Sequence, residues 1–160
     1  MNDKIVKELI KREKTICVAE SLTGGLLASS FVDISGASAV FKGGIVAYML
    51  EIKELLLDVP LSHSILTDGV DEMTAELMAK NACIKMNSDY AISTTGIAEA
   101  WDDRSEQAFI CVYDKHNDSF LTEHYIFRSE SDDKSYMSRD FVRQKCVENA
   151  LILISEKLGI

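Results

Sequence analysis

The sequence predicts a single α/β domain with three layers, α/β/α, around a mixed sheet. Three observations carry this expectation. Short apolar runs alternate with amphipathic stretches over residues 2–93, the pattern of strands joined by helical crossovers. Two further strand-like runs follow, separated only by a short polar segment, the pattern of an antiparallel hairpin. A long stretch with helical apolar spacing then closes the chain. The 160 residues suffice for one domain with a sizeable core. No internal repeat or clear linker divides them, so residues 1–160 are taken as one unit.

Each element has its own warrant. Residues 2–13 place Ile5, Val6, Leu9 and Ile10 on one stripe between charges, so they predict an amphipathic helix with Asn2 or Asp3 as cap. Residues 15–19 are a continuous apolar run that suits a buried strand. A short helix is expected over 24–32, starting at the double glycine, followed by a turn at Ser35-Gly36-Ala37-Ser38. Gly44 to Tyr48 predicts the second strand. Glu51 to Leu57 predicts a short helix that must stop before Pro60. Asp71 to Met86 carries apolar and small residues at helical spacing, with Asp71 in cap position. Tyr90 to Ser93 is the third strand. Ala108 to Tyr113 and Leu121 to Phe127 form the hairpin across His116-Asn117-Asp118-Ser119. Ser129 to Ser138 is polar and reads as a loop, and Phe141 to Leu158 as the closing helix.

Composition narrows the function classes. A net charge of −9 argues against a general nucleic-acid binder, which needs Lys and Arg at phosphates. It leaves room for a small phosphorylated ligand, for which a helix N-terminus and one or two basic residues suffice. No apolar run approaches the roughly 20 residues of a membrane span, and Met1 to Lys4 does not open a signal peptide. Cys17, Cys83, Cys111 and Cys146 lie far apart in apolar settings. They are expected to be reduced core thiols of a cytoplasmic protein.

Candidate chemistry gathers where strands end, because ligands of open α/β sheets bind beyond the carboxyl ends of parallel strands. Three stretches meet this condition: Glu20 to Gly25, Tyr48 to Lys53 and Thr94 to Ala98. Ser21, Tyr48 and Lys53 make a workable nucleophilic set. A lysine whose pKa is lowered by partial burial takes the serine proton, and the tyrosine relays that proton or orients the lysine. Backbone N–H groups at Thr23, Gly24 and Gly25 are candidates for oxyanion stabilisation. The same residues have plainer roles. Ser21 and Thr23 suit helix caps, Lys53 suits a solvated surface and Tyr48 suits half-buried packing. His63, His116 and His124 match no Ser-His-Asp pattern.

The ordered motifs resemble a known family. Ala19-Glu20-Ser21-Leu22-Thr23-Gly24-Gly25 is similar to A-E-S-C-T-G-G, and Asp33 to Tyr48 to D-x-x-G-S-S-x-x-F-x-G-G-x-V-x-Y. Glu51-Ile52-Lys53 resembles E-A-K, and Thr95-Gly96-Ile97-Ala98 resembles T-G-I-A. Together they resemble the C-terminal domain of the competence/damage-inducible protein CinA, whose standalone members are nicotinamide mononucleotide deamidases. The resemblance runs in order from about residue 5 to 158.

The resemblance implies a metal-free, cofactor-free amidohydrolase acting on a pyridine nucleotide. Ser21 would be the nucleophile, Lys53 the general base and Tyr48 an assistant. It also implies that Thr23, Gly24, Gly25, Thr95 and Gly96 border the substrate. Ser38 would support the oxyanion or the lysine, and Arg143, with Arg139 one turn earlier, would meet the phosphate. A cytoplasmic homodimer is the expected assembly. The sequence departs from the pattern at Leu22, at Met49-Leu50 in place of Ser-Asn, and at Glu99-Ala100-Trp101-Asp102-Asp103 in place of a Gly-Pro-rich loop. These departures keep a second expectation open, a catalytically impaired relative that binds a nucleotide or a protein.

Overall fold

The computed structural model describes residues 2–100, 104–127 and 138–160. In chain order its elements are α1 (Asn2–Lys11), β1 (Ile16–Glu20), α2 (Leu26–Val32), a 3-10 turn (Ala37–Ala39), β2 (Phe41–Val46), α3 (Leu50–Leu57), α4 (Leu61–Thr67), α5 (Glu72–Met86), β3 (Tyr90–Ile97), β4 (Gln107–Asp114), β5 (Ser119–Ile126) and α6 (Arg139–Leu158). The sheet order is β2-β1-β3-β4-β5. β1 is parallel to both β2 and β3, while β4 and β5 run antiparallel. The architecture is the expected α/β domain with a mixed sheet.

The two faces of the sheet are built from different side chains. Strand residues alternate between faces, so Ile16 and Val18 join one core while Cys17 and Ala19 join the other. The first core is bulky. It takes Ile5, Val6 and Leu9 from α1, Leu27 and Phe31 from α2, and Val142, Cys146, Leu153 and Ile154 from α6. The second is richer in small groups: Cys17, Ala19, Ala91 and Cys111 from the sheet meet Ala75, Ala79 and Ala82 of α5, with Leu57, Val59, Met78 and Tyr113 completing it. Small residues on both sides let α5 lie close over the central strands. All four cysteines are free and buried. No helix of the described residues is long and apolar enough to cross a membrane.

Several boundaries move for identifiable reasons. α2 starts at Leu26 rather than Gly24, because Gly24 and Gly25 sit at φ 59° and 98°, outside helical backbone. β2 runs from Phe41 to Val46, so the Gly43-Gly44 pair lies inside the strand and Tyr48 lies beyond its end. β3 continues past Ser93 to Ile97 because β4 pairs with it along that whole length. The polar residues Thr94, Thr95 and Gly96 are therefore strand, not loop. A Cβ on Gly96 would collide with the carbonyl oxygen of Gln107, so the close strand pairing requires glycine there. α4 was not expected; it starts directly after Pro60, while α3 has already ended at Leu57 with Asp58 in left-handed backbone. α5 begins where expected, with the Asp71 carboxylate accepting from the Thr74 N–H at 2.9 Å. Most of the expected loop 129–138 lies outside the described residues.

Candidate active site

The parallel pair β1 and β3 ends beside the N-terminus of α3, and the space between is a cleft of about 370 Å³. Ser21, Tyr48, Lys53, Asp68, Thr95 and Gly96 line it, together with Met49 and Leu50. The size suits a small molecule. Ser21 follows the last residue of β1 and is held by its N–H donating to the Thr94 carbonyl at 2.9 Å. The cleft thus opens at the carboxyl ends of the parallel strands, where the topology favours a ligand.

Lys53 reaches this cleft from inside the protein. Its side chain is only 2% exposed, with the stem passing against Gly69. The ammonium donates to Ser21 Oγ at 2.9 Å and to the Tyr48 carbonyl at 2.8 Å. Burial lowers its pKa to about 8, against the opposing charge of Asp68. Near pH 7.5 roughly a quarter of such amines are neutral, against about one in a thousand for an ordinary lysine. A neutral Nζ can give one N–H to the Tyr48 carbonyl and turn its lone pair to the Ser21 hydroxyl. The arrangement can therefore generate a serine nucleophile near neutral pH.

Tyr48 enters this geometry through its backbone. Its side chain is 58% exposed, and its hydroxyl meets Arg139 Nη2 at 3.3 Å rather than Lys53. Arg139 also pairs with Glu99 at 3.3 Å. One residue of the unusual acidic stretch is thereby tied to the last helix; Trp101, Asp102 and Asp103 lie outside the described residues. Asp68 carries a further ion pair at the rim of the cleft, with Arg104 at 3.0 Å.

The turn after Ser21 is held from both sides. The fully buried carboxylate of Glu20 accepts from the N–H groups of Gly25, Leu27 and Ala28 at 2.9, 3.1 and 2.8 Å. Arg143 donates Nε to the Leu22 carbonyl at 3.0 Å and Nη2 to the Thr23 carbonyl at 2.9 Å. The Thr23 and Thr94 hydroxyls bond each other at 2.7 Å. Thr95 donates to the Gly69 carbonyl at 2.5 Å. Gly25, expected as an open donor, is thus already committed to Glu20, and Arg143 meets backbone carbonyls.

Ser38 is not brought to this place. It is exposed in the 3-10 turn before β2, at the amino end of the parallel strands, and lines a separate hollow with Val32, Ile34 and Phe41. Glu20 and Asp68 are the groups that sequence reasoning left without a role. Glu20 had one legible signal, an acid placed shortly before a glycine turn and a helix, where it can reach unpaired N–H groups. Asp68 had none, since the fold alone carries it to Lys53.

Comparison with known proteins agrees with this geometry at the level of family and fold. The model of the CinA C-terminal domain matches residues 1–158. A CinA-like protein of Thermosipho melanesiensis is 32% identical over 166 residues, covering 99% of this chain and 39% of the relative. A CinA-like protein of Prochlorococcus marinus subsp. pastoris is 42% identical over 113 residues, covering 71% of this chain and 26% of the relative. The chain therefore spans well under half the length of these relatives. Among solved structures, the competence-damaged protein (CinA) superfamily member from Klebsiella pneumoniae 700603 superposes with a TM-score of 0.87 at 22% identity, covering 99% of this chain and 95% of that one. The competence/damage inducible protein CihA of Agrobacterium tumefaciens gives a TM-score of 0.82 at 24% identity, covering 99% and 96% of the two chains. With the family model matching nearly its whole length, the chain belongs to the CinA C-terminal domain family.

Proposed function

We propose that this chain is an amidohydrolase that cleaves the carboxamide of nicotinamide mononucleotide, giving nicotinic acid mononucleotide and ammonia. The observation that carries the reading is the 2.9 Å contact between Lys53 Nζ and Ser21 Oγ, with both groups buried at the mouth of a ligand-sized cleft. Lys53 accepts the Ser21 proton as Oγ bonds to the amide carbon. The tetrahedral intermediate collapses, the C–N bond breaks, and the proton held by Lys53 leaves with ammonia. Water, activated by the same amine, then releases the carboxylate from the Ser21 ester. No step calls for a metal or cofactor. The same reading puts the protein in the cytoplasm as a homodimer.

Ammonia release from nicotinamide mononucleotide tests the reading, with Ser21→Ala and Lys53→Ala as controls. Turnover by the wild type and loss in both variants is the expected result. A second reading, a binding module without turnover, draws on the apolar Met49 and Leu50 in the cleft wall and on Glu99 occupying Arg139. Nucleotide binding without ammonia release would favour it, and absence of both would point to an interaction role.

A further inference from the structure

Resting on the proposed serine chemistry, we infer that Arg143 is a positioning residue: it orients the peptide planes after Ser21 so that the Thr23 N–H, with the Leu22 N–H beside it, receives the oxyanion. In a trans peptide the carbonyl oxygen and the following N–H point in opposite directions. The guanidinium fork grips the carbonyls of Leu22 and Thr23. The N–H groups of Thr23 and Gly24 must then face away from Arg143. The Gly24 N–H shows which side that is, because it donates to the Ser21 carbonyl at 3.1 Å. Thr23 N–H is thereby turned away from Arg143, to the face of the turn that carries the Ser21 carbonyl.

The other donors of the turn are accounted for. Gly24 N–H closes the tight turn on Ser21, and the N–H groups of Gly25, Leu27 and Ala28 are held by Glu20. Among the described residues, no acceptor meets the N–H of Leu22 or Thr23. They belong to the first and second residues after the nucleophile, where an acyl-transfer oxyanion needs its donors. As Ser21 Oγ bonds to the amide carbon, the C–O π pair moves onto oxygen and these two N–H groups take the charge, while the hydroxyl proton passes to Lys53. Gly24 is part of the same device. A Cβ there would approach Arg143 Nη2 at 3.4 Å, on backbone already at φ +59°.

A phosphate-binding arginine and a positioning arginine make opposite predictions. The test measures kcat and KM of wild type, Arg143→Ala and Arg143→Lys on nicotinamide mononucleotide and on its phosphate-free riboside. Labelling of Ser21 by a fluorophosphonate, whose P–O group needs the same donors, is followed in parallel. Positioning predicts that Arg143→Ala lowers kcat about 100-fold on both substrates, with KM changed less than about threefold. The labelling rate falls alongside. Arg143→Lys keeps the charge but loses the fork, so it stays well below wild type, and free guanidinium restores part of the rate to Arg143→Ala. A rise in KM confined to the phosphorylated substrate, or full activity in Arg143→Lys, overturns the inference while leaving the serine mechanism standing. Should Arg143→Ala fail to fold, Arg143→Lys and its labelling rate decide alone. A wild type that neither turns over nor is labelled overturns the serine mechanism and this inference together.

Discussion

Ser21 and Ser38 belong to neighbouring motifs, yet they sit at opposite ends of one parallel strand pair. Ser21 follows β1 at the carboxyl edge, 6% exposed, with a buried amine on its hydroxyl. Ser38 precedes β2 at the amino edge, exposed in a shallow hollow lined by Val32, Ile34 and Phe41. The residue type is the same and the surroundings differ in every respect that matters. A serine hydroxyl is a weak nucleophile in water; it becomes useful where a neutral base, a dry wall and backbone donors converge. Parallel topology supplies that convergence at one edge only.

The sharpest way to break this contrast is to remove each hydroxyl. Ser21→Ala should lower kcat on nicotinamide mononucleotide by at least about a thousandfold, while Ser38→Ala stays within about twofold. Steady-state kinetics of both variants checks this, and a comparable loss in Ser38→Ala would mean that the amino edge takes part after all.

Lys53 offers the next effect. Lys53→Met should cost about a hundredfold or more in kcat, since the base is lost while packing is kept. In the wild type kcat/KM should rise with pH through about 8, because the working form of the free enzyme is the neutral amine. The same shift has a stability sign. The folded-state pKa lies below that of an exposed lysine, so the unfolded chain binds more protons between the two values. Stability should therefore increase as pH rises from about 8 toward 10.5. Lys53→Met should remove that slope and raise stability near pH 7 by about 2 kcal/mol. Urea melts at several pH values measure it; a flat wild-type profile would speak against a depressed amine.

The smallest effect concerns Glu99. Its ion pair with Arg139 is exposed, so Glu99→Gln should tighten a phosphorylated ligand only about two- to fivefold, and added salt should shrink the gain. Titration calorimetry at two ionic strengths is the measurement. Unchanged affinity would place residue 99 outside the reach of the ligand.

Legibility in the sequence followed burial. Strands β1 and β4 and helices α1, α5 and α6 were readable because continuous or periodic apolar residues report burial directly, and β5, which has no buried residue, was readable as the second arm of a hairpin across a short polar turn. α4 was not, since Ser64 is its only fully buried residue while Ile65 and Leu66 face outward. The far half of β3 was missed because Thr94, Thr95 and Gly96 are polar or small, and only the partner strand β4 holds them extended. At the site, the Ser21 turn and Lys53 were visible as motifs. The direction in which Tyr48 points was not, because a side chain beyond a strand end takes its orientation from tertiary neighbours.

Sequence by itself determined the α/β class, the glycine turn after β1 and the residue types able to do acyl chemistry, since these follow from local pattern and side-chain identity. Tertiary structure alone decided that Lys53 is buried against Ser21, that Ser38 lies at the far edge, and that Glu20 and Arg143 spend their charges on the backbone of the turn. Those are facts of through-space approach between residues 5 to 121 positions apart. Burial and hydrogen-bond direction arise only when such segments meet, and they are what give a serine, a lysine or an arginine its chemistry.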